Sequence, residues 1–219
     1  MNKDNTALVI CGPYNDLIIK LISYYKEIFV EIVVSTYEND NKLLKEINNV
    51  TNVKVIENKM PELKGAHNSQ NIFYQSFSSF HGMEQVESQF AIKLRSDEFY
   101  SNLDKLILTI PDKKTTTSNI FVRDIHYKNF HLSDHIIISK TDILKHAFKN
   151  LMGYIINSKI NKTDKLDILS DRIPAEVKVT LFILFEYKRS RLYNWNTLRS
   201  LEVYNLLKDY FNIVDINKL

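Results

Sequence analysis

The sequence predicts an α/β fold in which a mainly parallel sheet is flanked by helices, with a helical C-terminal part. Short β-branched apolar runs alternate with amphipathic stretches through residues 1–110, and helical spacing of apolar side chains dominates the last third. Strands that alternate with helices in this way form parallel sheets with right-handed crossovers. The 219 residues suffice for one domain, with a first half over 1–110 and a second half over 111–219.

The first half opens with three predicted strands. They lie at residues 7–11, 29–35 and 53–56, where apolar and β-branched side chains predominate. Gly12-Pro13 ends the first strand as a turn, Asn15 or Asp16 can cap the next helix, and a polar helix is predicted over 41–48. Ligands of parallel sheets bind at the carboxyl ends of strands, so the positions after Cys11 and at Ser35-Thr36 are predicted to face one.

The middle of the chain continues this pattern. Helical spacing over 71–83 predicts a helix that stops at Gly82, and a fourth strand at 90–94 runs directly into Arg95. Ser101 is predicted to cap a short helix after it. The polar, low-complexity stretch 111–119 then predicts a mobile loop at the boundary between the halves.

The second half is predicted to hold one strand and several helices. The strand lies at 135–138, and Thr141 caps the helix that follows it. Two more helices are predicted over 175–187 and from 197 to about 211.

Composition excludes several classes of protein. Cys11 is the only cysteine, which excludes a disulfide framework and a cysteine-based zinc site. Four glycines are too few for a G-x-G-x-x-G turn or a Walker loop, and a net charge of +3 does not favour nucleic acid as a partner. The polar N-terminus predicts no signal peptide, and no apolar run of the sequence approaches the ~18 residues of a membrane span. We therefore expect a cytoplasmic protein.

The strand that ends in Lys93-Leu-Arg-Ser-Asp97 carries the strongest chemical signal. It delivers two cations and one carboxylate into a polar loop, and these groups suit a diphosphate and a divalent cation. A solvated strand end with an aspartate helix cap fits the same spacing.

Three further sets of residues are candidates for the site, and each also has a purely structural interpretation. His131-Leu-Ser-Asp134-His135 offers a general base, a metal-ligand pair or a hydrogen-bonded turn. Asn71 and Gln75 share a helix face and suit a base or a sugar, or simply face solvent. Glu176, just after Pro174, is a cleft carboxylate or a first-turn residue that stabilises its helix.

The stretch Lys188-Arg-Ser-Arg191, followed by Tyr193 and Trp195, is basic and aromatic. This composition suits a peripheral contact with an anionic membrane or a nucleic-acid backbone, and it also suits a surface linker between two helices.

These segments, taken in order, resemble the WavE-type lipopolysaccharide synthesis family, glycosyltransferases with a GT-A-like fold. The resemblance covers about residues 7–180. Five stretches carry it: Val9-Ile-Cys-Gly-Pro13, Glu31-Ile-Val-Val-Ser-Thr-Tyr37, Asn71 through Gln75 with Gly82, Lys93-Leu-Arg-Ser-Asp97, and His131-Leu-Ser-Asp-His135.

The resemblance implies sugar transfer from a nucleotide-diphosphate donor, with UDP expected, to a glycan or lipid-linked acceptor in surface polysaccharide synthesis. It implies that Gly12, Ser35 and Thr36 line the nucleotide pocket. Arg95-Ser96-Asp97 stands where GT-A enzymes carry a D-x-D element, so the first carboxylate is replaced by a cation. Asp97 is then the one candidate ligand for Mn²⁺ or Mg²⁺, or Arg95 and Lys93 partly replace the metal.

Inverting transfer needs a carboxylate base and a charge sink for the diphosphate. Asp134 is the first choice for the base, because it follows the donor half and precedes a strand. Glu176 is the second. A nucleotidyltransferase and a catalytically silent nucleotide-sugar-binding or scaffold protein are the alternative functions.

Overall fold

A computed structural model describes residues 3–38, 47, 50–61, 68–108, 110–120, 122, 130–161, 173–189, 198–215 and 217. The strands are β1 Thr6–Cys11, β2 Ile32–Tyr37, β3 Val53–Asn58, β4 Phe90–Arg95, β5 Thr115–Ser118, β6 Ile136–Lys140 and β7 Phe211–Val214. The helices are α1 Leu17–Tyr25, α2 Asn68–Glu84, α3 Leu103–Ile107, α4 Thr141–Asn161, α5 Ala175–Lys188 and α6 Ser200–Tyr210, and a 3₁₀ turn, Lys3–Asn5, precedes β1.

The seven strands form one mixed sheet in the order β3-β2-β1-β4-β6-β5-β7. Strands β1 to β4 are mutually parallel, whereas β6 is antiparallel to both β4 and β5, and β7 is parallel to β5. The prediction of a mainly parallel sheet flanked by helices is therefore confirmed.

Each face of the sheet has its own apolar core, because successive strand side chains point to opposite faces. On one face, residues such as Val9, Val33 and Ala91 pack with side chains from α2, α4, α5 and α6. On the other face, Leu8 and Val34 pack with α1 and α3. The molecule is thus a three-layer α/β/α arrangement.

Gly82 brings α2 close to the sheet. The sequence had predicted that the helix stops at Gly82, and this prediction was wrong. A Cβ at this position would lie 2.6 Å from Val9 Cγ1 and 3.1 Å from Ser35 Cβ. The helix continues to Glu84, because the missing side chain serves a close helix–strand contact and not a C-cap.

The stretch predicted as a mobile boundary loop contains a buried strand, β5. All four of its residues are buried, and β5 lies between β6 and β7 in the same sheet. Its hydroxyls have partners: Thr115 Oγ1 lies 2.9 Å from Ser139 Oγ, and Thr117 Oγ1 donates to the Ser133 carbonyl oxygen at 2.6 Å. The prediction was wrong because threonine is both polar and β-branched, and here the second property decides.

Other element ends differ by a few residues from their predicted positions. Asn102, and not Ser101, precedes α3, and its side chain makes no capping hydrogen bond. Thr141 is the first residue of α4, with its hydroxyl donating to the Ser88 carbonyl oxygen. Of the two predicted caps for α1, Asn15 makes the hydrogen bond, since Leu17 N donates to Asn15 Oδ1 at 2.9 Å, whereas Asp16 directly precedes the helix and makes no capping side-chain hydrogen bond.

Some predictions fall outside the described residues. These are most of the helix over 41–48 and the basic–aromatic stretch from residue 190 to residue 197. Within the part of the chain that the structure describes, no helix has the length and apolarity that crossing a membrane requires.

Candidate active site

A cleft of about 640 Å³ opens at the carboxyl ends of β1 and β4. Parallel strands of an open sheet commonly bind their ligands at this edge. The cleft brings together nine of the residues singled out from the sequence: Gly12, Asn71, Gln75, Lys93, Arg95, Ser96, Asp97, Asp134 and Glu176.

Strand register explains why the first of these residues meet. Val9 pairs with Lys93 and Cys11 with Arg95 across the parallel β1–β4 ladder. These alternate positions point to the face that α2 covers. Lys93 and Arg95 therefore lie on the same face of the sheet, next to the strand end at which β1 turns.

The turn after β1 is closed against the end of β4. Gly12 has φ +142°, and a Cβ there would lie 2.4 Å from Ser96 Oγ. Ser96 Oγ donates to the Pro13 carbonyl oxygen at 2.9 Å, and Asn15 Nδ2 donates to the Ser96 carbonyl oxygen at 3.2 Å. Glycine is required here because both the backbone conformation and the close approach exclude a side chain.

Arg95 and Asp97 form a bidentate ion pair at the cleft. Arg95 Nε donates to Asp97 Oδ1 at 2.9 Å and Arg95 Nη2 to Asp97 Oδ2 at 2.8 Å. The hydrogen bonds from Arg95 lower the pKa of Asp97, and the Asp97 carboxylate raises the pKa of Arg95. Both side chains are exposed by more than a third, so solvent weakens the pair.

This pairing bears on the predicted metal ligand. Both Asp97 oxygens accept from Arg95, and the described residues include no group of three or more His, Cys, Asp or Glu that could hold a metal ion. The arrangement as it stands does not fit a cation held by the protein alone.

Glu98 and His135 form a second polar cluster beside this pair. His135 Nδ1 contacts Glu98 Oε1, Tyr100 donates to Glu98 Oε2 at 2.8 Å, and Arg95 Nε lies 3.4 Å from Glu98 Oε1. His135 also lines the cleft. The sequence had offered it only as part of the His131–His135 motif, and its contact with Glu98 was not predicted.

Lys93 lies in the floor of the cleft and is fully buried. Its Nζ donates to the main-chain carbonyl oxygen of Asp134 at 2.5 Å. Burial lowers the pKa of the Lys93 ammonium, while the nearby Asp134 carboxylate acts in the opposite direction.

Asp134 sits opposite the cation-bearing strand end, on the segment before β6. It is 5% exposed, and its Oδ2 accepts from Gln75 Nε2 of α2 at 2.6 Å. A carboxylate that lines a cleft and is held by an amide on a rigid helix has a fixed position and orientation.

Glu176 lines the same cleft from the first turn of α5. Its Oε2 lies 3.9 Å from Nε2 of His131, a residue that is almost fully buried. The two predicted candidates for the base, Asp134 and Glu176, thus line the same cleft. The neighbour of Asp134 is Gln75, and that of Glu176 is His131.

Ser35 and Thr36 do not line the cleft, contrary to the prediction. Both are fully buried, and Ser35 Oγ accepts from Asn58 Nδ2 at 2.8 Å. The α2 helix covers Ser35 at Gly82. Tyr37, the next residue on that strand face, reaches the cleft instead, together with Tyr74 and Met60.

Cys11 also lines the cleft, but it is not a reactive thiol. Burial raises its pKa to about 11, so the thiol stays protonated at neutral pH.

Comparison with known proteins supports the fold and leaves the family open. No family model matches the chain, and a search of the curated proteins finds no match. Membership of the WavE-type family therefore stays a prediction.

Three solved structures illustrate the similarity. The chain is similar to 4-diphosphocytidyl-2C-methyl-D-erythritol synthase from Anaerococcus prevotii, with a TM-score of 0.54 and 8% identity over 97% of this chain and 87% of that one. It is also similar to apo-form glycosyltransferase GlyE in Streptococcus pneumoniae (TM-score 0.47, 12% identity, 94% and 53% coverage). HddC from Yersinia pseudotuberculosis gives a TM-score of 0.43 and 15% identity over 64% of this chain and 79% of that one. At such identities the likeness shows the fold alone.

Proposed function

We propose that this chain is a glycosyltransferase that moves a sugar from a nucleotide-diphosphate donor, expected to be a UDP-sugar, to a glycan or lipid-linked acceptor. The expected setting is surface polysaccharide or glycoconjugate synthesis. One observation carries the proposal: Arg95 and the Asp134 carboxylate line the same cleft at the carboxyl edge of the parallel strands. Transfer of a glycosyl group requires a cation for the leaving diphosphate and a base for the acceptor.

The donor is proposed to bind along the β1 and β4 ends. Arg95 meets the diphosphate, because its fork of donors matches phosphate oxygens and its side chain is accessible. The nucleobase is proposed to pack against the aromatic, apolar and amide side chains that also line the cleft, those of Tyr37, Tyr74, Met60 and Asn71.

The acceptor is proposed to approach Asp134. The acceptor oxygen forms the new bond to the anomeric carbon as the bond from that carbon to the diphosphate oxygen breaks. The hydroxyl proton passes to Asp134, and the electron pair leaves with the diphosphate, whose charge Arg95 stabilises. Gln75 orients Asp134 through its 2.6 Å hydrogen bond, and attack from the face opposite the leaving group inverts the anomeric centre.

The turn after β1 favours this function over nucleotidyl transfer. A nucleoside triphosphate is usually cradled by several backbone N–H groups of a glycine-rich loop. Here Gly12 N already donates to the Ser35 carbonyl oxygen at 3.2 Å, Pro13 has no N–H group, and Ser96 closes the turn.

A divalent cation at Asp97 stays a prediction. Binding of a diphosphate to Arg95 would release the Asp97 carboxylate, which could then join donor oxygens and water as a ligand. No step of the proposed transfer is assigned to the metal.

Ligand binding and turnover together test the proposal. We expect a nucleotide diphosphate to raise the melting temperature and a nucleotide sugar to release the free diphosphate, each measured with Mn²⁺ and with EDTA. Binding without any release, across donors and acceptors, would support the silent binding protein. Absence of any shift with every nucleotide diphosphate would contradict the proposal itself.

Paired variants test the base. Asp134→Asn is expected to lower kcat about 100-fold or more with the donor KM nearly unchanged, because the acceptor proton loses its carboxylate. Glu176→Gln is the matched control on the same cleft. Normal turnover in Asp134→Asn with loss of turnover in Glu176→Gln would transfer the role to Glu176.

A further inference from the structure

The environment of Lys93 does not suit a phosphate ligand. The residue is fully buried, so its ammonium is not accessible to a donor in the cleft. Lysine is almost never fully buried unless its ammonium has a specific partner. Its neighbour on the same strand face, Arg95, has a side chain 39% exposed and is the accessible cation of the cleft. The two cations of the strand end therefore occupy different environments.

The partner of Lys93 is the main chain of the proposed base. Lys93 Nζ donates to the Asp134 carbonyl oxygen at 2.5 Å, a charge-assisted hydrogen bond. One residue earlier, Thr117 Oγ1 donates to the Ser133 carbonyl oxygen at 2.6 Å. Two strands, β4 and β5, thus hold consecutive carbonyl groups of the segment that presents Asp134.

This segment needs external support, because it is not a regular element. Phe130 has φ +59°, Leu132 N donates to the Phe130 carbonyl oxygen, and β6 begins only at Ile136. The Asp134 side chain is held separately by Gln75 of α2. Side-chain and main-chain contacts from three elements therefore set the position of one carboxylate.

We infer that Lys93 is a positioning residue that fixes the Asp134 main chain from beneath the cleft, and that Arg95 serves as the diphosphate cation. This inference rests on the proposed function for its kinetic consequence, although the structural role of Lys93 stands without it. A misplacement of about 1 Å at a catalytic group can cost on the order of 100-fold in rate.

The test compares Lys93→Met with Arg95→Gln by amide hydrogen exchange and steady-state kinetics. In Lys93→Met we expect amides over 131–136 to exchange about 10-fold faster or more while β1 stays protected. We also expect kcat to fall about 100-fold with donor KM changed less than about threefold. Arg95→Gln should lower kcat as well, because Arg95 stabilises the leaving diphosphate, but it should differ from Lys93→Met in two readouts: a raised donor KM and unchanged exchange over 131–136.

A double-mutant cycle identifies the residue through which Lys93 acts. Lys93→Met should lower kcat little further in the Asp134→Asn background, since the positioned group has already been removed. Lys93→Arg, which keeps a charged donor, should recover part of the lost kcat. If Lys93→Met does not fold, Lys93→Gln, which removes the charge, takes its place and is expected to give the same changes in exchange and kcat.

The outcomes separate this inference from the proposed function. Unchanged exchange over 131–136, with a raised donor KM and a lost donor-induced melting shift, would overturn it and make Lys93 a phosphate ligand. If the unmodified protein neither binds nor turns over any nucleotide sugar, the proposed function fails, and hydrogen exchange still decides whether Lys93 holds Asp134.

Discussion

At the residue scale, two glycines with different surroundings give a matched stability test. Gly12→Ala is expected to lower the free energy of unfolding by about 1–3 kcal/mol, because φ is +142° and the new Cβ would meet Ser96 Oγ. Gly153→Ala in α4 is expected to raise it by about 0.5–1 kcal/mol, because its Cβ would meet nothing within 4 Å. Urea unfolding measures both, and equal effects would contradict the role given to the turn.

The Arg95–Asp97 pair gives a second prediction at this scale. With EDTA present, Asp97→Asn is expected to tighten nucleotide-diphosphate binding up to about fivefold, because Arg95 loses an exposed partner worth about 1 kcal/mol or less. Calorimetric titration measures the affinity. Weaker binding without metal would show that Asp97 supports the donor by a route other than charge competition.

The same titration with Mn²⁺ tests the metal ligand. If Asp97 holds the cation, Mn²⁺ strengthens nucleotide binding in the unmodified protein and not in Asp97→Asn. Asp134→Asn is the control, because it changes the cleft but keeps the Arg95–Asp97 pair.

Sequence proximity decided which site residues could be predicted. Lys93, Arg95 and Asp97 share one strand end, so their convergence follows from local pattern. The partner of Lys93 lies 41 residues later in the chain, at Asp134, and such a contact depends on sheet order. Ser35 illustrates the opposite error, because its burial under Gly82 is a tertiary contact between β2 and α2.

At the element scale, the strand β5 was hidden by its polar composition. We expect the amides over 115–118 to exchange slowly, at rates close to those of β4, because all four residues are buried between two neighbouring strands. Hydrogen exchange with mass spectrometry measures this. Rates as fast as those of exposed Asp112 and Lys113 would support the mobile loop that the sequence predicts.

Strands β5 and β7 were unpredictable for a shared physical reason. Each has only four residues, and they pair with each other in parallel, Thr115 beside Phe211 and Ser118 beside Val214. Four residues are too few to establish a strand pattern by themselves, so each strand owes its conformation to its neighbours in the sheet. The longer β1 and β4 carry five and four apolar residues out of six, and both were predicted to within one residue.

At the scale of the whole molecule, one carboxylate, that of Glu31, joins three segments of the sheet at the end of the strands opposite the cleft. Glu31 precedes β2, and its Oε2 accepts from Ser88 Oγ at 2.7 Å and from Ser88 N at 3.0 Å, just before β4. Its Oε1 accepts from Glu87 N at 3.0 Å and lies 3.4 Å from Lys54 Nζ of β3. Three segments of the parallel sheet therefore meet at Glu31.

This cluster predicts how stability depends on pH. Burial acts to raise the pKa of Glu31, but the hydrogen bonds from Ser88 and Glu87 outweigh it, so the folded pKa lies below the ordinary value of 4.5. A lowered carboxyl pKa contributes stability that is complete above the unfolded pKa and is lost as pH falls through the folded pKa. Glu31→Gln is therefore expected to cost about 2 kcal/mol at pH 7, typical of hydrogen bonds to a charged group, and progressively less below about pH 4.5.

Urea unfolding of both proteins from pH 7 down to pH 3 measures this difference. Glu27→Gln is the matched control, because the Glu27 side chain is 79% exposed and its ion pair with Lys26 is long, at 3.9 Å. A constant difference between Glu31→Gln and the unmodified protein across the range would mean that the carboxylate stabilises the sheet edge by shape and not by charge. If the free energies of unfolding of the two proteins converge at low pH, protonation of Glu31, which contacts segments next to or within β2, β3 and β4, accounts for part of the loss of stability in acid.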